Sequence, residues 1–157
     1  MLRISKLTDY ATLILAHLPE AGSGKRTATE VAALARVAPP TVSKVLKELH
    51  RAGLVTSSRG VHGGYCLARA ANTITAADII DAVEGPVALT ECASSHHQCD
   101  LESSCRVGAS WQRVSLAIRA VLAEVTLHQL TGGQPSAQPS SAVTSRDGIP
   151  VFWRARV

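Results

Sequence analysis

Aromatic side chains are scarce in this 157-residue chain: Phe, Trp and Tyr together make up 3% of it. Any core must therefore be built from small aliphatic residues, and the abundance of Ala, Leu and Val favours helices. Long apolar runs are missing as well. The stretch Ala11 to Leu18 is too short to span a bilayer, and Lys6 and Asp9 stand just before it. No secretory pattern is visible, so the expectation is a cytoplasmic protein with reduced thiols and no membrane partner. There is no C-x-x-C pair, no glycine loop of the kind that cradles phosphate, and no nucleophile–base–orienter set. These gaps argue against an enzyme. A thiol-based redox enzyme stays as the alternative of another class, and it would need a low-pKa thiol that turns over without a metal. No internal repeat is present.

Three of the four cysteines fall within fourteen residues, in Cys92-Ala-Ser-Ser-His-His-Gln-Cys99-Asp-Leu-Glu-Ser-Ser-Cys105. Three thiolates can hold a soft metal centre. The plainer reading is three unrelated small apolar residues, but buried free cysteines do not usually gather in a loop of Ser, His, Gln, Asp and Glu. Zinc sites more often pair cysteines two to four residues apart, and here the gaps are six and five. That favours iron, with a zinc-stabilised site as the rival.

The net charge of +4 is modest for a nucleic-acid binder, and its distribution says more. Between Arg36 and Arg69, six basic residues (Arg36, Lys44, Lys47, Arg51, Arg59 and Arg69) stand against one acid, Glu48. Such a surface can face phosphates, although composition fits an ordinary solvated face equally well.

In chain order, Leu7, Ala11, Ile14, Leu15 and Leu18 recur at helical spacing and predict a first helix over about 6–18. Thr27-Ala-Thr-Glu30 is a capping box that opens a short helix with Val31, Leu34 and Ala35 inward. After a turn at Arg36-Val37-Ala38, Pro39-Pro40 start a third helix with Val42, Val45, Leu46 and Leu49 as its buried stripe and Gly53 as its stop. This is a helix-turn-helix pattern, whose second helix can lie in the DNA major groove. A plain three-helix bundle is the alternative. Leu54 to Ser57 and Tyr65 to Leu67 read as strands around Arg59-Gly60-Val61-His62-Gly63-Gly64, a wing with Arg59 at its tip. Glycines there allow close approach to a phosphate or minor groove, and an arginine can enter that groove. Thr75-Ala-Ala-Asp78 opens another helix, closed by Gly85-Pro86.

From Val107 to Leu130 one long helix is expected. Val107, Trp111, Val114, Ile118, Val121 and Val125 recur in steps of four and three, a coiled-coil seam. Packing on its own domain is possible, but a second copy is the favoured partner, because the winged module reads as complete without this helix. Beyond Thr131 the Gly-, Pro-, Ser- and Gln-rich text predicts disorder.

The start Leu2-Arg3-Ile4-Ser5-Lys6-Leu7-Thr8-Asp9-Tyr10-Ala11, the wing through Ala68 and the three cysteines together resemble the Rrf-type family of winged-helix regulators, which includes IscR-like and NsrR-like iron–sulfur sensors. Ala82 to Cys92 and Trp111-Gln112-Arg113 resemble most closely the branch that regulates SUF-system cluster assembly. The resemblance covers about residues 1–130. It implies a mainly α fold: a winged helix-turn-helix DNA-binding domain (1–86), a cysteine-rich cluster-binding loop (87–106) and a dimerisation helix (107–130); the tail beyond it (131–157) is expected to be disordered from its composition.

The resemblance further implies a homodimer on double-stranded promoter DNA, with one iron–sulfur cluster of two or four irons per subunit. Repression is the working expectation, although the sign of regulation is open. The thiolate ligands carry over to Cys92, Cys99 and Cys105. The DNA-reading positions carry over to Pro40, Thr41, Ser43, Lys44 and Lys47 at the start of the third helix, and to Arg59. Cys66 matches no ligand position and reads as a small core residue. IscR-like members can use a histidine three residues after the third cysteine, where this chain has Gly108. NsrR-like members can use an aspartate at the start of the partner's first helix, and Asp9 occupies that place. His96 and His97 are the local rivals for the fourth ligand.

Overall fold

The structure, a computed structural model, describes residues 3–90 and 107–133. Cys92, His96, His97, Cys99 and Cys105 lie outside the described residues, as does the tail from residue 134.

Helix α1 (Lys6–Ala16) starts where the Ser5 hydroxyl accepts the Thr8 N–H at 3.3 Å. It buries Thr8, Ala11, Ile14 and Leu15 and ends two residues before the expected Leu18. Helix α2 (Ala28–Ala35) opens on the expected capping box, with the Thr27 hydroxyl and the Glu30 carboxylate each accepting the other residue's backbone N–H. Its buried residues are Val31 and Ala32, whereas Leu34 is exposed. The expectation that Leu34 faces inward is thus corrected. The inward stripe runs through Ala28, Val31, Ala32 and Ala35, and Leu34 lies off that arc. Arg36 ends the helix in the left-handed conformation, at φ 52°.

Helix α3 (Pro39–Arg51) has proline in its first turn and buries Val42, Val45, Leu46 and Leu49 completely. It packs against α1, α2 and α4. Strands β1 (Val55–Ser58) and β2 (Gly64–Leu67) follow as an antiparallel pair, in register from Val55 opposite Leu67 to Ser58 opposite Gly64. Arg26 adds a further rung: it exchanges two backbone hydrogen bonds with Tyr65, at 3.0 and 2.8 Å. Cys66 is buried, as expected, with its Sγ 3.1 Å from Thr56 Oγ1.

After a single 3₁₀ turn at Ala71–Thr73, α4 (Ala76–Glu84) opens on a second capping box, Thr75 with Asp78. Helix α5 (Gly108–Glu124) follows the cysteine loop, and α6 (Leu127–Leu130) follows α5. One continuous helix over 107–130 is therefore not what forms. Val125 and Thr126 are extended, and Thr126 pairs with Thr75 in an antiparallel bridge. Two forces stop the helix. Thr126 and Gln129 make their own capping box. The Val125 carbonyl also accepts the Ala76 N–H at 2.8 Å, one of the amides left unpaired by the first turn of α4.

The consequence reaches the core. Leu127 is 1% exposed and belongs to the same cluster as Ile14, Leu15, Val45, Leu46, Leu49 and Ile74. The winged module is thus completed by residues that return after α5, contrary to the expectation that it stands without them. Leu127→Ala should destabilise the protein by about 2–5 kcal/mol, the range for emptying a buried leucine site. Urea unfolding measures it, and a loss near zero would mean that α6 is not part of this core.

Candidate nucleic-acid interface and cysteine-loop stem

The complete burial of one stripe of α3 leaves the opposite face to solvent. Pro40, Ser43, Lys44 and Lys47 are exposed and Thr41 is half-buried. The wing is fixed against the end of this helix: the Leu54 N–H bonds the Leu49 carbonyl at 2.9 Å, and Leu54 and Val55 are buried. Arg59 follows β1 directly and is exposed. All six DNA-reading positions named from the sequence are therefore found on α3 or the wing, accessible in whole or in part.

The local basic excess is smaller than the residue count implies. Arg51 pairs with Glu48 at 2.5 Å and Arg69 with Asp78 at 2.6 Å. Among the described residues, Arg36, Lys44, Lys47 and Arg59 make no ion pair, so their charge stays available to a polyanion. Lys25 joins them from outside the expected window. Its Nζ donates to Ser58 Oγ at 2.6 Å, beside Arg59. Only the tertiary pairing of the Lys25-Arg26 segment with the wing brings it there.

The wing glycines have an internal reason to be there. A Cβ on Gly63 would come within 2.5 Å of the Ser58 carbonyl oxygen, and one on Gly64 within 2.7 Å of that of Arg26. Close backbone approach, to Ser58 within the hairpin and to Arg26 beside it, requires glycine at both positions. Gly60, at φ 113°, is open to solvent.

The stem of the cysteine loop is held at two points, neither of them singled out by sequence pattern. Glu84, the last residue of α4, accepts the Ser5 N–H at 3.1 Å and makes a second, short hydrogen bond with the Thr8 hydroxyl. Burial pushes its carboxyl pKa up, but the bonds from Thr8 and Ser5 outweigh that and hold it below the ordinary carboxylate value. Further along, the Leu89 N–H donates to Ser115 Oγ at 3.2 Å, and that hydroxyl donates to the Trp111 carbonyl at 3.0 Å. Ser115 is the only buried residue of α5. Arg119 adds a clasp between α5 and α4, reaching Asp81 Oδ2 at 2.6 and 3.0 Å. The Asp81 bond and charge raise the Arg119 pKa further.

The rest of α5 is largely unpartnered. Val107, Trp111, Val114, Leu116 and Val121 are exposed, and Ile118 is half-buried. Beside it runs a groove of about 590 Å³ lined by Ile4, Leu13, Ile79, Leu122 and Val125. Asp9 stands in that lining, exposed, in the first turn of α1. Among the described residues nothing forms an ion pair or side-chain hydrogen bond with its carboxylate. No helix among the described residues is long and apolar enough to cross a membrane.

A helix with one face buried and the other basic, followed at once by a two-stranded wing, defines a winged helix-turn-helix DNA-binding protein. Residues 4–133 match the Rrf2 family, described as an iron-dependent transcriptional regulator. The chain belongs to the Rrf2 family and is a transcriptional regulator that binds DNA, not an enzyme. Protein aau3 of Rhizobium meliloti (strain 1021) is 32% identical over 135 residues, covering 85% of this chain and 88% of that protein. Among solved structures, CymR (YrzC), the global cysteine regulator of B. subtilis, is similar at 30% identity and a TM-score of 0.62, over 83% of this chain and 97% of that one. T. potens IscR is similar at 25% identity and a TM-score of 0.59, over 89% and 94% of the two chains.

Proposed function

We propose that this chain is a cytoplasmic, dimeric regulator that senses an iron–sulfur cluster through its cysteine loop and acts on promoters of cluster-assembly genes of the SUF type. The observation that carries the reading is a basic winged helix-turn-helix face joined to a three-thiol loop whose stem is hydrogen-bonded to both α1 and α5. Residues 1–86 read DNA, 87–106 carry the cluster, and the exposed apolar side of 107–124 meets a second copy.

The donor set suits the group. Cys92, Cys99 and Cys105 supply three soft thiolates. Asp9, with no partner for its carboxylate among the described residues, is the preferred fourth donor, offered to the other subunit; His96 and His97 are the rivals. When bound, a cluster supplies a redox-labile centre whose gain or loss changes the charge and tethering of the loop. The protein's part is to hold the stem and to present α3. Thr41, Ser43 and Lys44 meet base edges, Pro40 lies in the first turn of the helix beside them, and Lys47 and Arg59 neutralise phosphates or enter the minor groove. The likeness to a cysteine regulator keeps a second reading in view, in which the loop answers thiol chemistry with no iron.

Anaerobic purification followed by metal and sulfide analysis separates these readings. Brown protein with iron and acid-labile sulfide is expected, and colourless protein with stoichiometric zinc, or with no metal, would overturn the cluster. On duplex DNA selected by the wild-type protein, Arg59→Ala should weaken binding and reduce the salt slope by about one unit for one lost phosphate contact. Unchanged affinity at every salt concentration would remove Arg59 from the interface. Val121→Glu should cost the dimer roughly 3 kcal/mol or more, because it buries an unpaired charge in the contact. Sedimentation showing the variant as dimeric as wild type would place the dimer contact elsewhere.

A further inference from the structure

Glu84 occupies an unusual junction. Its backbone ends α4, which gives way at Gly85, at φ 86°, to the segment that precedes Cys92, eight residues after Glu84 in the sequence. Its side chain reaches back to a different helix. There it accepts the N–H of Ser5, the N-cap of α1, and bonds the hydroxyl of Thr8, which is 4% exposed. The first amides of a helix have no partner within the helix, and a carboxylate is favoured beside them. Glu84 thus acts as a second cap on α1, supplied from a distant part of the chain.

Thr8 is followed at once by Asp9, and the same helix buries Ala11, Ile14 and Leu15 against α3. One carboxylate therefore stands between the segment entering the cysteine loop, the turn that carries Asp9, and the helix that backs the DNA-reading face.

We propose that Glu84 is the positioning residue that couples the cysteine loop to α1, so that the state of the loop is felt by the helix behind α3. This rests on the cluster-sensing reading above. Glu84 touches neither the cluster nor the DNA. It sets the rotation of the first turn of α1, and with it the direction of Asp9, according to where the loop stem holds the end of α4. Ser115, bound to Leu89, holds the other side of the stem against α5, so the segment between Glu84 and the loop is tied to both α1 and α5.

The test compares full-length wild type with Glu84→Ala, Glu84→Gln and Thr8→Val, each loaded anaerobically with cluster and then stripped with a chelator. Amide exchange is followed in peptides covering 5–16 and 39–51. In wild type, loading should change exchange in the first turn of α1 by roughly three- to tenfold, the scale of one hydrogen bond. Glu84→Ala should erase that difference while the three thiolates still hold iron and sulfide near the wild-type content. Glu84→Gln keeps an acceptor oxygen and should retain most of the difference. Thr8→Val removes one bond from the other side and should give a reduced difference, which also covers the case of an alanine variant that does not fold.

A full cluster-dependent difference in the alanine and valine variants would overturn the proposal. So would equal loosening of loaded and stripped forms, the mark of a merely structural clasp. Wild type that binds cluster but shows no change in α1 would overturn the coupling and leave the sensor reading standing. Wild type without iron and sulfide would overturn both.

Discussion

The burial of one stripe of α3 is the constraint on which the rest depends. Val42, Val45, Leu46 and Leu49 are fully enclosed by α1, α2 and α4. Each such side chain contributes about 1.5–3 kcal/mol, an upper figure because the unfolded chain already hides some apolar surface. With no aromatic among the fully buried side chains of the described residues, the core relies on interdigitated aliphatic residues, and none of the four can turn outward without leaving a void. The helix is therefore held in one rotation. Pro40, Ser43, Lys44 and Lys47 face solvent because their neighbours cannot.

The same core ties the chain's later part to its first. Val125, Thr126 and Leu127 return to pair with Ala76, Thr75 and Ile74, and Leu127 fills the space beside α1 in the same core as the α3 stripe. Helix α5 is thereby anchored at its far end in the DNA-binding module, while its near end receives the cysteine loop. Its apolar side remains open between these anchors. A helix fixed in this way presents that apolar side in a defined orientation relative to α3.

Electrostatics divides the basic residues into two groups. Arg51, Arg69 and Arg119 have carboxylate partners and serve the fold's surface clasps, each modest in energy because water screens it. Lys44, Lys47 and Arg59 have none among the described residues, and Lys25 donates only to a hydroxyl. The α3 and wing face thus keeps unpaired positive charge without a large net charge on the whole chain.

Much of this was legible in residue order. Capping boxes at Thr27 and Thr75, prolines at the start of α3 and the four-residue stripe within it act through neighbours one to four positions apart, so the sequence by itself determined those helices, the buried face of α3 and the wing hairpin. Leu34 misled because apolar character does not reveal helix phase in an eight-residue helix. The break at Val125-Thr126 was half legible: Thr126 and Gln129 spell a capping box, but the heptad seam reaching up to Val125 masked it. Only the tertiary structure decided that the extended residues pair with Thr75, that Leu127 enters the core, that Lys25 joins the wing, and that Glu84 caps a helix seventy-nine residues before it at Ser5. Those contacts join segments far apart in the chain, and their geometry is set by how packed helices close on one another, which no local spacing encodes.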